Sequence, residues 1–128
     1  MRRTFMNSKI HRATVTDSDL NYIGSVTISP ELLDAARIGV HELVQIVNVN
    51  NGSRFETYTI LGEPGAHQVI INGAAARLVQ PGDKVIIITY AELEPEEIPL
   101  HQSTVVHVAD DNSILEASLT AQILPEFI

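Results

Sequence analysis

The sequence predicts an all-β fold with short helices, built as a single domain over residues 1–128. Three observations carry this expectation. Short β-branched runs recur along the chain, bounded by Gly, Pro and Asn. One run, Lys84 to Leu93 (KVIIITYAEL), is apolar on both faces and belongs at the centre of a sheet. The helical segments are brief, and 128 residues suit one core rather than two. Six or so short strands with only short helices predict a small β-barrel; periodicity alone leaves open which barrel.

The first strand is expected at Lys9 to Val15 and the second at Tyr22 to Ile28 (YIGSVTI). The second holds an oddity, because Gly24-Ser25 lies inside it and Gly is depleted in strand interiors. A bulge, a close backbone contact or a site of chemistry would each account for it. A helix follows in SPELLDAARIG, with Ser29 as N-cap, Pro30 at the first helical position, Glu31 at the positive dipole end and Gly39 as the stop. Asn51-Gly52 predicts a hairpin with a type I′ turn. On its return strand Phe55, Thr57, Thr59 and Leu61 share one face, and Glu56, Tyr58 and Ile60 the other. HQVIINGAAARLVQPGD reads as a short strand, a Gly break, an Ala-rich helix and a Pro-Gly turn. The last clear strand is Ser103 to Asp111, and the tail from about Asn112 is weakly patterned, consistent with partial disorder.

Composition narrows the function. Acidic residues outnumber basic ones by 16 to 8, a formal charge of −8, which argues against nucleic acid and against an anionic membrane surface. There is no Cys, so disulfides and thiolate chemistry are excluded. The N-terminal stretch lacks the apolar core of a secretory signal, and Val85 to Ile88 is too short to span a membrane, so a cytoplasmic protein is expected. His11, His41, His67, His101 and His107 have no chelating spacing, and no metal is expected. No Walker, G-x-G-x-x-G or G-x-S-x-G pattern is present, and Glu92, Glu94, Glu96 and Glu97 read as a solvated loop.

KIHRATVTDSDLNYIGSVTI, NGSRFETYTILGEPG and INGAAA, in that order and spacing, resemble the aspartate 1-decarboxylase family over about Met1 to Leu93. The resemblance implies a six-stranded double-psi β-barrel and a homotetramer with sites between subunits. It implies a pyruvoyl-dependent enzyme that turns L-aspartate into β-alanine for pantothenate, with no metal and no pyridoxal phosphate (PLP). It further implies a proenzyme that cuts itself into residues 1–24 and 25–128. The Ser25 hydroxyl attacks the Gly24 carbonyl carbon, shifting the acyl group from nitrogen to oxygen. β-Elimination of the ester leaves dehydroalanine, which water converts to the pyruvoyl group with loss of ammonia. That group then forms a Schiff base with the substrate amine and accepts the electrons freed by loss of carbon dioxide.

Residue by residue, the resemblance places the proton donor at Tyr58 and gives Thr57 a part in cleavage and substrate contact. Arg54 is implied as the carboxylate partner, which its planar fork suits. Asn72, Gly73, Ala74 and Ala75 match the substrate-contacting loop, and Lys9, His11 and Tyr22 are candidates to line the site. Alternation sets Thr57 and Tyr58 on opposite faces, so they serve different sites or one acts through its backbone. Asn21, Ile23 and Arg77 depart from residues common in the family, and an accessory maturation protein is compatible with the pattern. Two other readings are a non-catalytic barrel acting as a binding module, and the same chemistry on another acidic amino acid such as glutamate.

Overall fold

The computed structural model describes residues 1–121. The strands are β1 (Arg3–Thr14), β2 (Asp17–Asp19), β3 (Ser25–Ile28), β4 (Leu43–Asn48), β5 (Arg54–Leu61), β6 (Val69–Asn72), β7 (Lys84–Leu93), β8 (Gln102–Val108) and β9 (Ile114–Ala121). They form one mixed sheet in the order β2-β6-β3-β5-β4-β7-β1-β8-β9. β1–β8, β2–β6 and β3–β5 are parallel, and the other pairs are antiparallel. Among the described residues the one α-helix, α1 (Pro30–Ala36), follows β3.

β7 spans the residues the sequence assigns to it and lies between β4 and β1. Val85 and Ile87 are fully buried on its inner side, where Ile10, Ala13, Val26, Ile28, Val44 and Ile46 join them in the core. Ser8 and Thr89 also point inward, and their hydroxyls hydrogen-bond each other at 2.5 Å, so neither is left unpaired. In β1 the register slips between Ile10 and Ala13, where Arg12 has φ 61°. This bulge lets Ile10 and Ala13 both face the core although they are three residues apart.

Several local expectations are corrected. The second strand begins at Ser25, not Tyr22. Asp19 ends β2 by accepting hydrogen bonds from Asn21 N on its side chain and from Tyr22 N on its backbone. The turn so formed leaves Gly24 before the strand, not inside it. The hairpin loop runs over 49–53 and is not a two-residue type I′ turn. Gly52 has φ 76° while Asn51 does not enter the left-handed region. Gly52 N donates to Asn48 O, and the Asn48 and Asn51 side chains accept from Asn50 N and Ser53 N, which satisfies the wider loop. β8 stops at Val108 because Ala109 N and Asn112 N close a turn.

The tail also differs from expectation within the described residues. Asn112 is fully buried, and its side chain bonds Thr14 N, Thr14 O and His67 O. β9 then pairs with β8 along the sheet edge. Leu115 and Leu119 are mostly exposed there, so an edge strand with little inward patterning explains the weak sequence signal. Residues 122–128 lie outside the described residues.

α1 ends earlier than Gly39 would set. Arg37 takes the left-handed conformation (φ 60°) and caps the helix, with Arg37 N donating to Asp34 O and Ile38 N to Leu33 O. Ser29 precedes the helix, but its hydroxyl accepts from Gln68 N rather than capping it. A non-glycine residue in the left-handed region costs about 1–2 kcal/mol. Arg37 is exposed. Arg37→Gly is therefore expected to raise stability by about 1 kcal/mol, read as a higher urea midpoint with an unchanged slope. An unchanged or lower midpoint would contradict the cap assignment.

Candidate active site

β3 and β6 run antiparallel with Ser25 opposite Asn72. Paired residues share a face, and the inner face is taken by Val26, Ile28 and Ile71, so Ser25, Thr27 and Asn72 point outward. Despite that direction Ser25 is only 1% exposed. Its hydroxyl donates to Ile23 O at 2.9 Å and accepts from Asn72 Nδ2 at 3.0 Å. The same Nδ2 donates to Thr27 Oγ1 at 3.0 Å. Asn72 thus ties together two side chains on one face of β3. Thr27 was missed in the sequence, and its signal was the i+2 spacing from Ser25.

After Asn72 the chain turns sharply into a 3-10 segment, Gly73–Leu78. Gly73 has φ 73°, and a Cβ on it would lie 2.6 Å from Gly24 Cα and 2.9 Å from Gly24 N. Gly73 is therefore required both by its dihedral and by the close approach of the Gly24 backbone. Gly24 behaves oppositely. Its φ is not left-handed and a Cβ on it would meet nothing within 4 Å. A glycine's conformational freedom is not used at Gly24 in this conformation; the steric demand falls on Gly73.

β5 lies on the other side of β3, in parallel register, with Val26 opposite Thr59. Continued back, that register sets Ser25 level with Tyr58 and Gly24 level with Thr57. Thr59 is buried and Phe55 packs on the core, so Thr57 shares the inner face and Tyr58 faces outward. Tyr58 is 37% exposed and meets the His41 ring edge-on at a centroid distance of 6.0 Å. Beside Asn72 lies an open cleft of about 260 Å³, lined by Tyr22, Thr27, Ile60 and Asn72 with Asp17 and Asp19 among others. A second hollow of about 280 Å³, at Leu93, Glu97, Leu100 and His101, touches none of the candidate residues.

The structure does not bring every candidate together. Three strands, β5, β4 and β7, stand between β3 and β1, which carries Lys9 and His11. Ser8 and Ile10 point into the core, so Lys9 and His11 point out of it. Arg54 shares a strand and a face with Tyr58 but lies a full four residues away, and its Nη2 reaches Gln45 Oε1 at 3.4 Å. Gln45 Oε1 also accepts from Tyr90 Oη at 2.6 Å. Gln45 and Tyr90 had no motif to single them out; only the strand pairing places them beside Arg54. Gly73 is buried, while Ala74 is exposed and Ala75 packs partly on the core.

Among the described residues, no group of three His, Asp or Glu side chains is placed to hold a metal ion. No described helix is long and apolar enough to cross a membrane.

Comparison with known proteins bears on this arrangement. A family model described as aspartate decarboxylase matches residues 1–115. The chain is 56% identical over 116 residues to an aspartate 1-decarboxylase of Bacillus cereus (strain B4264), covering 91% of each chain. It is 57% identical over 113 residues to one of Caldicellulosiruptor saccharolyticus, covering 88% of each. To one of Clostridium kluyveri it is 49% identical over 116 residues, covering 91% of each. With matches of this extent laid over the Gly24–Ser25–Asn72–Gly73 arrangement, the chain belongs to the aspartate decarboxylase family.

Proposed function

We propose that this chain is an aspartate 1-decarboxylase that processes itself at Gly24-Ser25 and converts L-aspartate to β-alanine and carbon dioxide, the step that supplies pantothenate synthesis. The observation that carries the self-processing part is the burial of Ser25. A hydroxyl that is 1% exposed cannot meet a substrate arriving from solvent. Its reaction partner must already be inside, and the adjoining Gly24 carbonyl is the bonded neighbour. Asn72 Nδ2 donates to Ser25 Oγ, which stabilises negative charge developing on that oxygen as its proton leaves. Gly73 lets the Gly24 backbone lie against the turn. In the acyl shift the Oγ–carbon bond forms, the Gly24–Ser25 C–N bond breaks, and the freed nitrogen takes up a proton.

The residues around Ser25 fit the pyruvoyl group that the family implies. Asn72 Nδ2 loses its Ser25 Oγ partner when that oxygen leaves with the Gly24 carboxylate, and would then be free to donate to the group's own carbonyl oxygen. When present, the group supplies an electron sink for decarboxylation. Tyr58, level with residue 25 on the outer face, is the group to hold and return a proton. Arg54 and Lys9 are the cations for the substrate carboxylates, and Tyr22 forms a wall of the adjoining cleft. Thr57 is on the opposite face from Tyr58, so within one chain its backbone, level with Gly24, is what can serve cleavage.

The separation of these groups supports an assembly. Lys9 and His11 are outward-facing and three strands removed from β3. A second copy presenting Lys9 and Arg54 to the Ser25 face would complete the site, and a homotetramer provides such contacts. The mixture of parallel and antiparallel pairs fits closure of the sheet as a double-psi β-barrel.

Intact mass spectrometry tests the processing. The expected result is two chains, residues 1–24 and a blocked 25–128, with a single uncleaved chain for Ser25→Ala; an uncleaved wild type after long incubation, with no aspartate turnover, would sink the proposal. Turnover of glutamate at a rate matching aspartate would move the substrate assignment. In the Ser25→Ala background, Gly73→Ala is expected to cost about 1–3 kcal/mol from its dihedral alone, while Gly24→Ala should change stability by less than about 1 kcal/mol. Urea melts read both, and equal effects would refute the assignment of the steric demand to Gly73. Co-expression of Ser25→Ala with Arg54→Ala chains should restore part of the activity that each lacks alone. No restoration in hybrids shown to form would place Arg54 and Ser25 of one chain in the same site.

A further inference from the structure

β1 and β8 pair in parallel with His11 opposite His107. Val106 is fully buried, so His107 faces outward with His11, and the two rings meet edge-on at 5.4 Å between centroids, 72° apart. Among the described residues, His11 Nδ1 is the one buried side-chain nitrogen or oxygen without a hydrogen-bond partner. A proton on that nitrogen would be a buried, unpaired donor beside a second imidazole, which is a costly arrangement.

We propose that His107 is a positioning residue for the reaction: its ring fixes the His11 imidazole and keeps it neutral, so that Lys9 carries the positive charge at this part of the site. The proposal rests on the decarboxylase reading for the relevance of His11. The groups around His11 can be named from every neighbouring strand. On β1 they are Lys9 and Arg12, both cationic. From β8 comes His107, with Glu116 of β9 opposite it on the far side. β7 faces this stretch with Val85, Ile87 and Ile88, which are apolar. Asp110 is within electrostatic reach of Arg12. Burial first, then the charges of Lys9, His107 and Arg12, hold His11 below the ordinary histidine value. Neutral His11 is the form present above that lowered value, so activity that needs it falls only when pH drops below it. Removing His107 removes one of the depressing charges. The His11 midpoint then rises, and the acid limb of the pH profile moves up with it.

The experiment compares mature wild type with His107→Val and His107→Phe, two strand-compatible residues at an exposed position. ¹³C-histidine NMR titration, assigned with His11→Asn, reads the His11 midpoint, and kcat/KM for aspartate against pH reads the acid limb of the free enzyme. Expected is a rise of roughly half a pH unit or more in both variants, within the reach of a neighbouring charge. The acid limb should rise by the same amount. An unmoved His11 midpoint overturns the proposal, as does a moved midpoint with an unmoved limb. Absence of aspartate turnover in the mature wild type would instead overturn the decarboxylase reading, and the titration would still read the coupling of the two rings.

Discussion

The close approach of Gly73 to Gly24 is the constraint on which the site depends. β3 is four residues long, and it begins at Ser25, the proposed reacting residue. Its position is set by β5 on one side and β6 on the other. β6 can register Asn72 against Ser25 only if the chain then leaves without striking the peptide before Ser25. A Cβ at residue 73 would lie 2.6 Å from a backbone carbon, and no rotamer change relieves a clash with backbone. The left-handed turn at Gly73 therefore does two things: it ends β6 and it makes room for the backbone of Gly24. The Asn72 amide, donating to Ser25 and Thr27 together, then holds the two strands at that spacing.

Strand alternation divides the molecule between the aliphatic core and the face that carries the proposed site. Val26, Ile28, Thr59, Val44, Ile46, Ile87 and Ile10 face inward and are all but inaccessible. Ser25, Thr27, Asn72, Tyr58, Arg54, Lys9 and His11 face the other way. A one-residue slip in any of these pairs would exchange the two sets, so the aliphatic core fixes where each polar group emerges. The bulge at Arg12 belongs to the same logic. It resets the inward phase of β1 after Ile10, so that Ala13 and Val15 return to the core while Lys9 and His11 stay outside.

Much of this was legible in the sequence. The unbroken apolar run of β7 announced a central strand, and the alternation in β5 separated Thr57 from Tyr58. Ser25, Asn72 and Gly73 were readable through their flanking motifs. What was not legible came partly from local turns and partly from long-range contacts. The Asp19 turn is local, its carboxylate and carbonyl accepting from Asn21 N and Tyr22 N, and reading Tyr22 to Ile28 as one strand passed over it. Arg37 as a helix cap violates local preference, and Gly39 nearby was the natural choice on propensity. The hairpin loop widened because the Asn48 and Asn51 side chains bond its own backbone and also donate to Leu78 O, about thirty residues away. β9 was hidden because an edge strand buries too little to pattern its sequence. Gln45 beside Arg54, and His107 beside His11, are products of strand pairing alone.

The acidic balance of the chain bears on how such a site can hold a dicarboxylate. A formal charge of −8 would repel an anion if it acted as a whole. Ionic screening limits that repulsion to about 8 Å at physiological salt, so the distribution matters more than the sum. Arg54 and Lys9 stand on the outer sheet face, and Arg12 adds to the cationic stretch of β1, whereas Glu92, Glu94, Glu96 and Glu97 lie at and beyond the end of β7. Asp17 and Asp19 are the exception, since they line the cleft beside Asn72. Carboxylates there oppose entry of the substrate's own carboxylates from that side and favour its ammonium group. An anion attracted by Arg54 and Lys9 and a cation attracted by the Asp17–Asp19 side would orient one small zwitterionic molecule between them. In the proposed assembly the acidic surplus is compatible with an anionic substrate, because a second copy's Arg54 and Lys9 would stand across the cleft from Asp17 and Asp19 and set a dipole over the site.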